Sequence, residues 1–443
     1  MNRLVCVLRR VFLQRGDFFI ALAYGWSFFI ERYCAFSAEM PFSVYWSKIR
    51  LKRLPDREIL SKGPMMLPTR SAWVTLIIYS LCLTTGSTLL AQTTGWKTEE
   101  LAQAKQRAIN FLMTSQAKDG SWTTPTSPAI SGLVTLALLR SGVKTDTPEV
   151  EKGLKHLQTF VQPDGGLYSP KSQHANYETS ILVLVFHAAN HEGQYTILIK
   201  NADQFLRNLQ WDDTQQTEKG DPKFGGAGYG GPNSRPDLSN TTFFLEALEA
   251  AGAKQDDPEV QNALVFLSRC QNLESEHNTL PFASKVNDGG FIYTPAPGGS
   301  SPAGATENGG LRSYGSMTYA GLKSMVYAGL TPEDKRVKAA LEWIKKHYSV
   351  EENPGLGQQG KFYYFHVFAK TLATLNLDSV QDEQGRTHDW RNELATHLLQ
   401  IQQENGAWLN KSDRWFEGNP DLATAFALLS LKYCEPKTLD SKE

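Results

Sequence analysis

The sequence has little cysteine. It contains 5 cysteines in 443 residues, and three of them lie before residue 92. From residue 92 onward only Cys270 and Cys434 remain, whereas a fold held together by disulfide bonds uses several cysteine pairs. The sequence therefore excludes a disulfide-rich fold, and we expect a domain that is stabilised by the packing of a large hydrophobic core.

The chain also lacks a strong net charge, which is −1 overall. Residues 1–64 carry 11 Lys and Arg against 5 Asp and Glu, whereas residues 92–443 carry 33 basic and 41 acidic residues. An acidic body is a poor partner for nucleic acid or anionic lipid. We therefore expect no nucleic-acid partner, and membrane association only through the N-terminal segment.

Long uninterrupted apolar runs are absent, since none reaches the roughly 20 residues that a membrane-spanning helix needs. In residues 65–91 a single cation, Arg70, precedes an apolar run at 72–83 and then small and polar residues ending at Ala91. This layout is typical of a secretory signal peptide, so we predict export to the periplasm or the cell exterior. The chain would then start at Met65 or Met66, and residues 1–64 would be a disordered extension assigned in error upstream of the true start. A translated basic tail and an uncleaved anchor at residues 72–91 are the alternatives.

One motif recurs six times after residue 100. In its first copy an apolar segment at 107–112 is followed by Gln116 and by Gly120, Ser121 and Trp122. The equivalents of Phe111 lie 45 to 77 residues apart. They are Phe111, His156, Phe205, Phe266, Trp343 and His397. A repeat of this length has room for two helices.

Each repeat predicts one amphipathic helix and one helix that is apolar on all sides. The apolar helices are predicted at residues 132–139, 181–186, 241–248, 317–326, 365–375 and 423–431. A helix without a polar face is buried all round, so these six form an inner ring inside six amphipathic helices. We predict an all-α fold, an α/α toroid of six helix-hairpin repeats spanning residues 96–434, because an open stack would leave its last inner helices exposed.

The motif Gln-x-x-Asp-Gly-x-Trp at residues 116–122 resembles the QW motif of squalene-hopene and oxidosqualene cyclases. The count of six repeats resembles the β subunits of protein prenyltransferases. The sequence thus resembles a divergent member of the terpenoid cyclase and protein prenyltransferase superfamily, over residues 100–433. The resemblance implies that the motif's Gln and Trp join helices on the outside of the toroid, and that chemistry is placed at the N-terminal ends of the inner helices.

The acid motif of the bacterial cyclases, Asp-x-Asp-Asp-Thr, is not intact. The best match begins at Asp237 and continues through Ser239, Asn240 and Thr241. The resemblance puts Ser239 in the place of the proton donor and Asn240 in that of the last Asp. Neither is a strong acid, and an alkene is a very weak base.

The zinc ligands of the prenyltransferases, an Asp, a Cys and a His, are also incomplete. Where the resemblance places the Asp and Cys, the chain has Arg312, Ser313 and Tyr314, and His366 remains without these partners. We therefore predict no metal and no cofactor.

Polar side chains near the starts of the inner helices are the candidate site. Asp237 and Asp421 are the candidate catalytic residues, although each follows a proline and precedes an apolar run, which also predicts a helix N-cap. The candidate cavity-binding residues are Glu178, Asn240, Arg312, Tyr314, Tyr364 and His366. A set of aromatic residues could line a pocket that stabilises a cation or fill a core: Trp211, Tyr229, Tyr293, Tyr363, Tyr364, Trp408, Trp415 and Phe416.

Three functions remain open on the sequence. The first is an exported toroid whose central cavity holds an apolar or polyprenyl-type ligand without the usual catalytic groups. The second is an active enzyme with relocated groups, either an isoprenoid cyclase or a carbohydrate lyase using a tyrosine base such as Tyr314 beside Arg312. The third is a protein-interaction scaffold.

Overall fold

The computed structural model describes residues 98–231, 234–296 and 298–435. The extension predicted at residues 1–64 and the signal peptide predicted at residues 65–91 lie outside the described residues. Within the described part of the chain, no helix is both long enough and apolar enough to span a membrane.

Twelve helices of 11 to 18 residues alternate along the described chain between an outer and an inner ring. The outer helices are α1 Thr98–Ser115, α3 Pro148–Gln158, α5 Thr196–Arg207, α7 Pro258–Cys270, α9 Lys335–Lys346 and α11 Trp390–Ile401. The inner helices are α2 Pro128–Arg140, α4 Ala175–Ala188, α6 Leu238–Ala251, α8 Gly315–Tyr327, α10 Lys361–Thr374 and α12 Pro420–Cys434.

The remaining elements are short. Single helical turns occur at Asp213–Gln215, Ala283–Val286 and Arg414–Phe416. The strands β1 Val380–Gln381 and β2 Thr387–His388 pair as an antiparallel hairpin. These elements lie in the loops, so the double ring of helices carries the core.

Burial along the helices follows from their residue patterns. In α3 the residues Val150, Leu154 and Leu157 are buried, at intervals of four and three that place them on one face of a helix. In α6 every residue from 240 to 248 is buried. The first pattern belongs to an outer helix with a solvated face, and the second to an inner helix enclosed by neighbours.

The inner ring is closed. Helix α2 packs against α4, α4 against α6, α6 against α8, α8 against α10 and α10 against α12, and α12 packs back against α2. The outer helices cover this ring, with α1 packed against both α12 and α11. The prediction of an all-α toroid of six helix pairs is therefore confirmed.

The glutamine of the repeat joins each unit to the next. Gln116 donates a hydrogen bond to the turn of its own repeat and a second, at 2.8 Å, to the carbonyl oxygen of Glu149 in α3. Gln402 does the same in the sixth repeat, and its second bond reaches Ala104 of α1 at 2.9 Å. The same pair of bonds is made by Gln210 and Gln271. The last repeat is thereby bonded to the first.

Two repeats depart from this arrangement. Gln162, which is displaced by one position, bonds only to carbonyl groups within its own repeat. In the fifth repeat Tyr348 replaces the glutamine, and its hydroxyl donates to the carboxylate of Glu393 in the next outer helix at 2.8 Å. A side-chain link to the following repeat is thus retained in the fifth unit by a different residue.

A glycine in the turn allows consecutive repeats to approach closely. Gly225 has a φ of +83°, and a Cβ atom there would overlap the carbonyl oxygen of Asn262 in α7. Glycine is required for both reasons, since other residues adopt positive φ only at a cost and would clash with the neighbouring helix. Gly142 has a similar φ of +90° after α2 but has open space around it.

Candidate functional site

A cavity of about 120 Å³ lies at the N-terminal ends of the inner helices. Fifteen residues line it, and they come from five of the six inner helices and from the loops that precede them. They are Tyr177, Tyr229, Ser239, Asn240, Phe243, Tyr293, Tyr314, Ser316, Met317, Gly360, Tyr363, Trp415, Glu417, Leu422 and Phe426. Eight of the fifteen are aromatic, so the cavity is enclosed mainly by aromatic side chains.

The aromatic side chains contact one another around this space. The rings of Tyr177 and Phe243 meet edge to face at 5.2 Å between centroids. Phe243 is stacked on Tyr363 at 6.3 Å, and Tyr363 meets Phe426 edge to face at 5.7 Å. These contacts run from α4 through α6 and α10 to α12, and rings in such geometry hold one another in place.

A buried polar group lies behind one wall. Asp237 is the N-cap of α6, and its carboxylate accepts hydrogen bonds from the backbone N–H of Asn240 at 2.9 Å and from its Nδ2 at 2.8 Å. Burial raises the pKa of Asp237 to about 6, although hydrogen bonds from Asn240 and Tyr293 oppose this shift. Asn240, to which Asp237 is hydrogen-bonded, lines the cavity. The expected N-cap is therefore confirmed at this position.

Glu417 is the single carboxylate among the fifteen described residues of the lining. It is 1% exposed, and its two oxygens accept hydrogen bonds from the backbone N–H of Tyr363 at 2.8 Å and from Asn410 Nδ2 at 2.7 Å. Burial raises the pKa of Glu417, while the hydrogen bonds favour its charged form. A carboxylate from the loop before α12 thus satisfies an N–H group in the first turn of α10, where helical partners are missing.

Trp415 stands at the mouth of the cavity. It is 44% exposed and has a left-handed backbone, with φ of +61° and ψ of +34°. Bulky residues adopt this conformation rarely and at a cost, and such strain is common at functional sites. Gly360 leaves room for the indole, because a Cβ atom there would lie 3.0 Å from two ring carbons of Trp415.

Two of the eight site residues predicted from the sequence line the cavity, Asn240 and Tyr314. Asp237 is not in the lining, but it is hydrogen-bonded to Asn240. Burial raises the pKa of Tyr314 well above its ordinary value of 10, so its hydroxyl holds its proton at neutral pH. Arg312 is exposed on the loop before α8 and does not line the cavity. A lyase pair of Tyr314 as base beside Arg312 therefore has no support in this geometry.

Asp421 lies apart from the cavity. Its two oxygens accept hydrogen bonds from Ser115 and Thr123, each at 2.8 Å, and so connect α12 to the first repeat. The N-cap of α12 is Asn419, which accepts from the backbone N–H of Leu422. The prediction that Asp421 caps this helix is wrong, because the helix begins at Pro420, one residue earlier.

Two further candidates make contacts elsewhere. Glu178, on α4, accepts hydrogen bonds from Ser127 and from the backbone N–H of Ser169. Tyr364 is fully buried, and its hydroxyl donates to the carbonyl oxygen of Ser349 at 2.7 Å. Neither residue lines the cavity, so the structure does not bring these candidates together with Asn240.

His366 is buried near an ionic cluster on the inner helices and makes no ion pair with it. Glu246 of α6 accepts from Lys323 of α8 at 2.8 Å and from Lys370 of α10 at 2.7 Å. Burial and the neighbouring Lys370 lower the pKa of His366 to about 3, so it is neutral. Among the described residues there is no group of three or more His, Cys, Asp or Glu side chains arranged to hold a metal ion.

Several lining residues are not among the sequence-predicted candidates. Four of them lie within the first two turns of inner helices: Tyr177, Phe243, Met317 and Phe426. Their position in the sequence is a signal that could have identified them, but a search restricted to polar residues does not use it. Glu417 carries no such signal, since its place in the cavity depends on the meeting of α10 with the loop before α12.

The comparisons with known proteins concern the fold. No protein-family model and no curated protein matches the sequence. The chain is similar to the solved structure of the type II terpene cyclase MstE from Scytonema, at 12% identity over 76% of this chain and 98% of that one, with a TM-score of 0.46. It is also similar to a protein from Actinoplanes, at 13% identity over 75% of this chain and 99% of that one, with a TM-score of 0.45.

A variant of MstE in complex with its substrate, geranylgeranyl dihydroxybenzoate, is similar at 13% identity over 76% of this chain and 97% of that one, with a TM-score of 0.28. The closed double ring of paired helices is established by the packing of this chain's own helices. At 12 and 13% identity the likeness concerns the fold alone.

Proposed function

We propose that this protein binds a small apolar or isoprenoid group in the aromatic cavity, without the acid that initiates cyclisation in the terpenoid cyclases. The lining itself carries the proposal. Eight of its fifteen residues are aromatic, and both oxygens of its one carboxylate, Glu417, are already hydrogen-bonded. A mostly apolar pocket with a few placed polar groups is the usual form of a small-molecule site.

The size of the cavity limits the ligand. At about 120 Å³ it is close to the ~150 Å³ cavity that accommodates a benzene molecule in a protein core. It therefore holds one ring or one isoprene unit, and a longer prenyl chain would extend past Trp415 at the mouth. MstE is described with a geranylgeranyl substrate, but the proposal for this chain rests on its own lining.

The experiment is a calorimetric titration of the purified protein with isopentenol and with geraniol, which measures the binding of each. Leu422 lines the cavity, so we expect Leu422→Trp to fill the space and abolish binding. Leu409→Trp is the matched control, because Leu409 is 41% exposed and lies outside the lining. Thermal denaturation checks that both variants fold. Binding that survives in folded Leu422→Trp would place the ligand elsewhere and overturn the proposal.

Export is a separate part of the proposal and rests on the layout of residues 65–91. Sequencing the N-terminus of the protein isolated from its source cells tests it. We expect a mature chain that begins near Gln92, and an intact N-terminal segment in the mature protein would contradict export by cleavage.

A second candidate function, acid catalysis of isoprenoid cyclisation by Asp237, is favoured by one observation. Burial raises the pKa of Asp237 to about 6, so this carboxyl retains its proton in mildly acidic solution. Incubation with polyprenyl substrates at pH 5.5, with products detected by mass spectrometry, tests it. A cyclic product that disappears in Asp237→Asn would establish catalysis. The absence of any product would leave ligand binding as the one remaining proposed function.

A further inference from the structure

We propose that the group held in this cavity is positively charged, an alkylated ammonium such as a trimethylammonium head. The inference rests on the proposed function, because it specifies the chemical class of ligand for the same cavity. It is carried by the composition of the wall, whose fifteen described residues include eight aromatic residues and one carboxylate but no Lys, Arg or His.

Aromatic rings attract cations through the negative potential of their faces. Tyrosine and tryptophan account for six of the eight rings: Tyr177, Tyr229, Tyr293, Tyr314, Tyr363 and Trp415. These are the ring types that surround methylated ammonium groups in known aromatic cages. A neutral hydrocarbon gains from burial alone, whereas an alkylated ammonium gains from burial and from the ring faces together.

The carboxylates on this side of the ring reinforce the preference. Glu417 lines the cavity, and the carboxylate of Asp237 is hydrogen-bonded to the lining residue Asn240. A cation in the cavity would favour the ionised form of both groups. An anion would face the same two carboxylates with no compensating basic residue in the wall.

Three basic residues lie outside the lining, and two of them interact with these carboxylates: Glu417 favours the charged form of Lys361, and Arg235 favours the ionised form of Asp237. The guanidinium of Arg414 lies over the Trp415 ring at 4.6 Å, which shows that this ring already accepts a cation. The ammonium of Lys361 lies over the rings of Phe362 and Phe365 at 5.8 and 6.0 Å. Arg235 donates to a backbone carbonyl at 3.5 Å. None of the three lines the cavity.

The size of the cavity suits a compact head group. A volume of about 120 Å³, slightly below that of a cavity that holds benzene, fits a tetrahedral ammonium with three methyl groups. The exposed position of Trp415 leaves a path by which the rest of such a ligand extends into solvent.

The test compares choline with 3,3-dimethylbutan-1-ol, which has the same shape but carbon in place of the charged nitrogen. Both are titrated into the purified full chain by calorimetry. We expect choline to bind at least about fivefold more tightly, since cation–aromatic contacts add to burial. Equal affinities would overturn this inference and leave the proposed function standing. Absence of binding by either compound, and by isopentenol and geraniol, would overturn both.

Variants separate the charge from the shape of the cavity. Trp415→Leu removes a lining ring, and Phe416→Leu is its matched control, because Phe416 is the adjacent residue, is 74% exposed and does not line the cavity. Glu417→Gln removes the charge and keeps an oxygen acceptor. We expect Trp415→Leu and Glu417→Gln to weaken choline binding severalfold and to change binding of the neutral alcohol much less.

Circular dichroism confirms that each variant folds. If choline affinity is the same in both folded variants as in the unaltered protein, the cavity is not the cation site and the inference fails. If Phe416→Leu weakens choline binding as much as Trp415→Leu, the effect belongs to the whole turn Arg414–Phe416, which also contradicts the inference.

Discussion

The buried cluster of Glu246 with Lys323 and Lys370 makes a specific prediction about stability. One carboxylate bridges two ammonium groups from neighbouring inner helices, at 2.8 and 2.7 Å. The side chains are only 7%, 5% and 13% exposed, respectively. In Glu246→Gln the two ammonium groups would remain buried with no counter-charge between them.

The size of the expected loss of stability can be worked out from the distances between the Glu246 oxygens and the two lysine nitrogens. At an effective dielectric constant of about 20, each ion pair near 2.8 Å is worth about 6 kcal/mol of Coulomb attraction. Most of this is offset by the cost of removing three charges from water. Breaking such a buried pair nevertheless leaves an uncompensated charge, which typically costs about 3–5 kcal/mol. We expect Glu246→Gln to lower the free energy of unfolding by that amount, a large part of a typical total of about 5–15 kcal/mol.

The loss also depends on pH. Burial lowers the pKa of both lysines below their ordinary value of 10.5, and removal of Glu246 lowers them further. The unfolded chain then binds more protons than the folded one between the lowered pKa and 10.5, so stability rises with pH in that window. The deficit of Glu246→Gln relative to the unaltered protein should therefore shrink between pH 7 and pH 10.

Urea denaturation followed by circular dichroism, at pH 7 and at pH 10, measures both effects. Glu404→Gln is the matched control, because Glu404 is an exposed carboxylate in the turn after α11, and we expect a change within about 0.5 kcal/mol. A loss below about 1 kcal/mol for Glu246→Gln at pH 7, or a deficit that does not shrink at pH 10, would refute the reasoning.

Three further outcomes are expected. Gln402→Ala, which removes the side-chain bond to Ala104 of α1 and the bond to the turn of its own repeat, should cost about 1–3 kcal/mol of stability in urea denaturation, whereas exposed Gln403→Ala should cost almost nothing. Gly225→Ala should lower the melting temperature far more than Gly142→Ala, since both have positive φ but only the first meets a neighbouring helix. Because the pKa of Asp237 is raised from 3.8 to about 6, its burial costs stability as pH rises between these values. The stability of Asp237→Asn relative to the unaltered protein should therefore improve by up to about 3 kcal/mol between pH 4 and pH 7, as measured by denaturation at both values.

The architecture was predictable because each repeat encodes it locally. The apolar segments at residues 241–248 and 317–326 fall inside α6 and α8, since a run without a polar face is stable only where it is enclosed. The Gln of the motif was expected to join helices, and Gln116 does so through α3. Closure was expected because an open stack would leave its last inner helices exposed, and the packing of α12 against α2 completes the ring.

The candidate site was predictable only in part. Asn240 and Tyr314 were expected near the inner-helix starts, and both line the cavity. Asp421 has a similar sequence context to Asp237, yet its carboxylate is bonded to the first repeat. A residue's distance from a helix start does not determine the direction of its side chain, which depends on how the neighbouring helices and loops pack.

The sequence by itself determined the helix pairs, their order and their number, because the alternation of amphipathic and apolar segments is a property of the chain alone. Only the tertiary structure decided which side chains share a space. Glu417 joins the aromatic rings because the loop before α12 meets the first turn of α10. Glu246 finds two lysines because α6, α8 and α10 are neighbours in a closed ring. Such groups are up to about 120 residues apart in the chain, and local pattern carries no information about contacts that form only on packing.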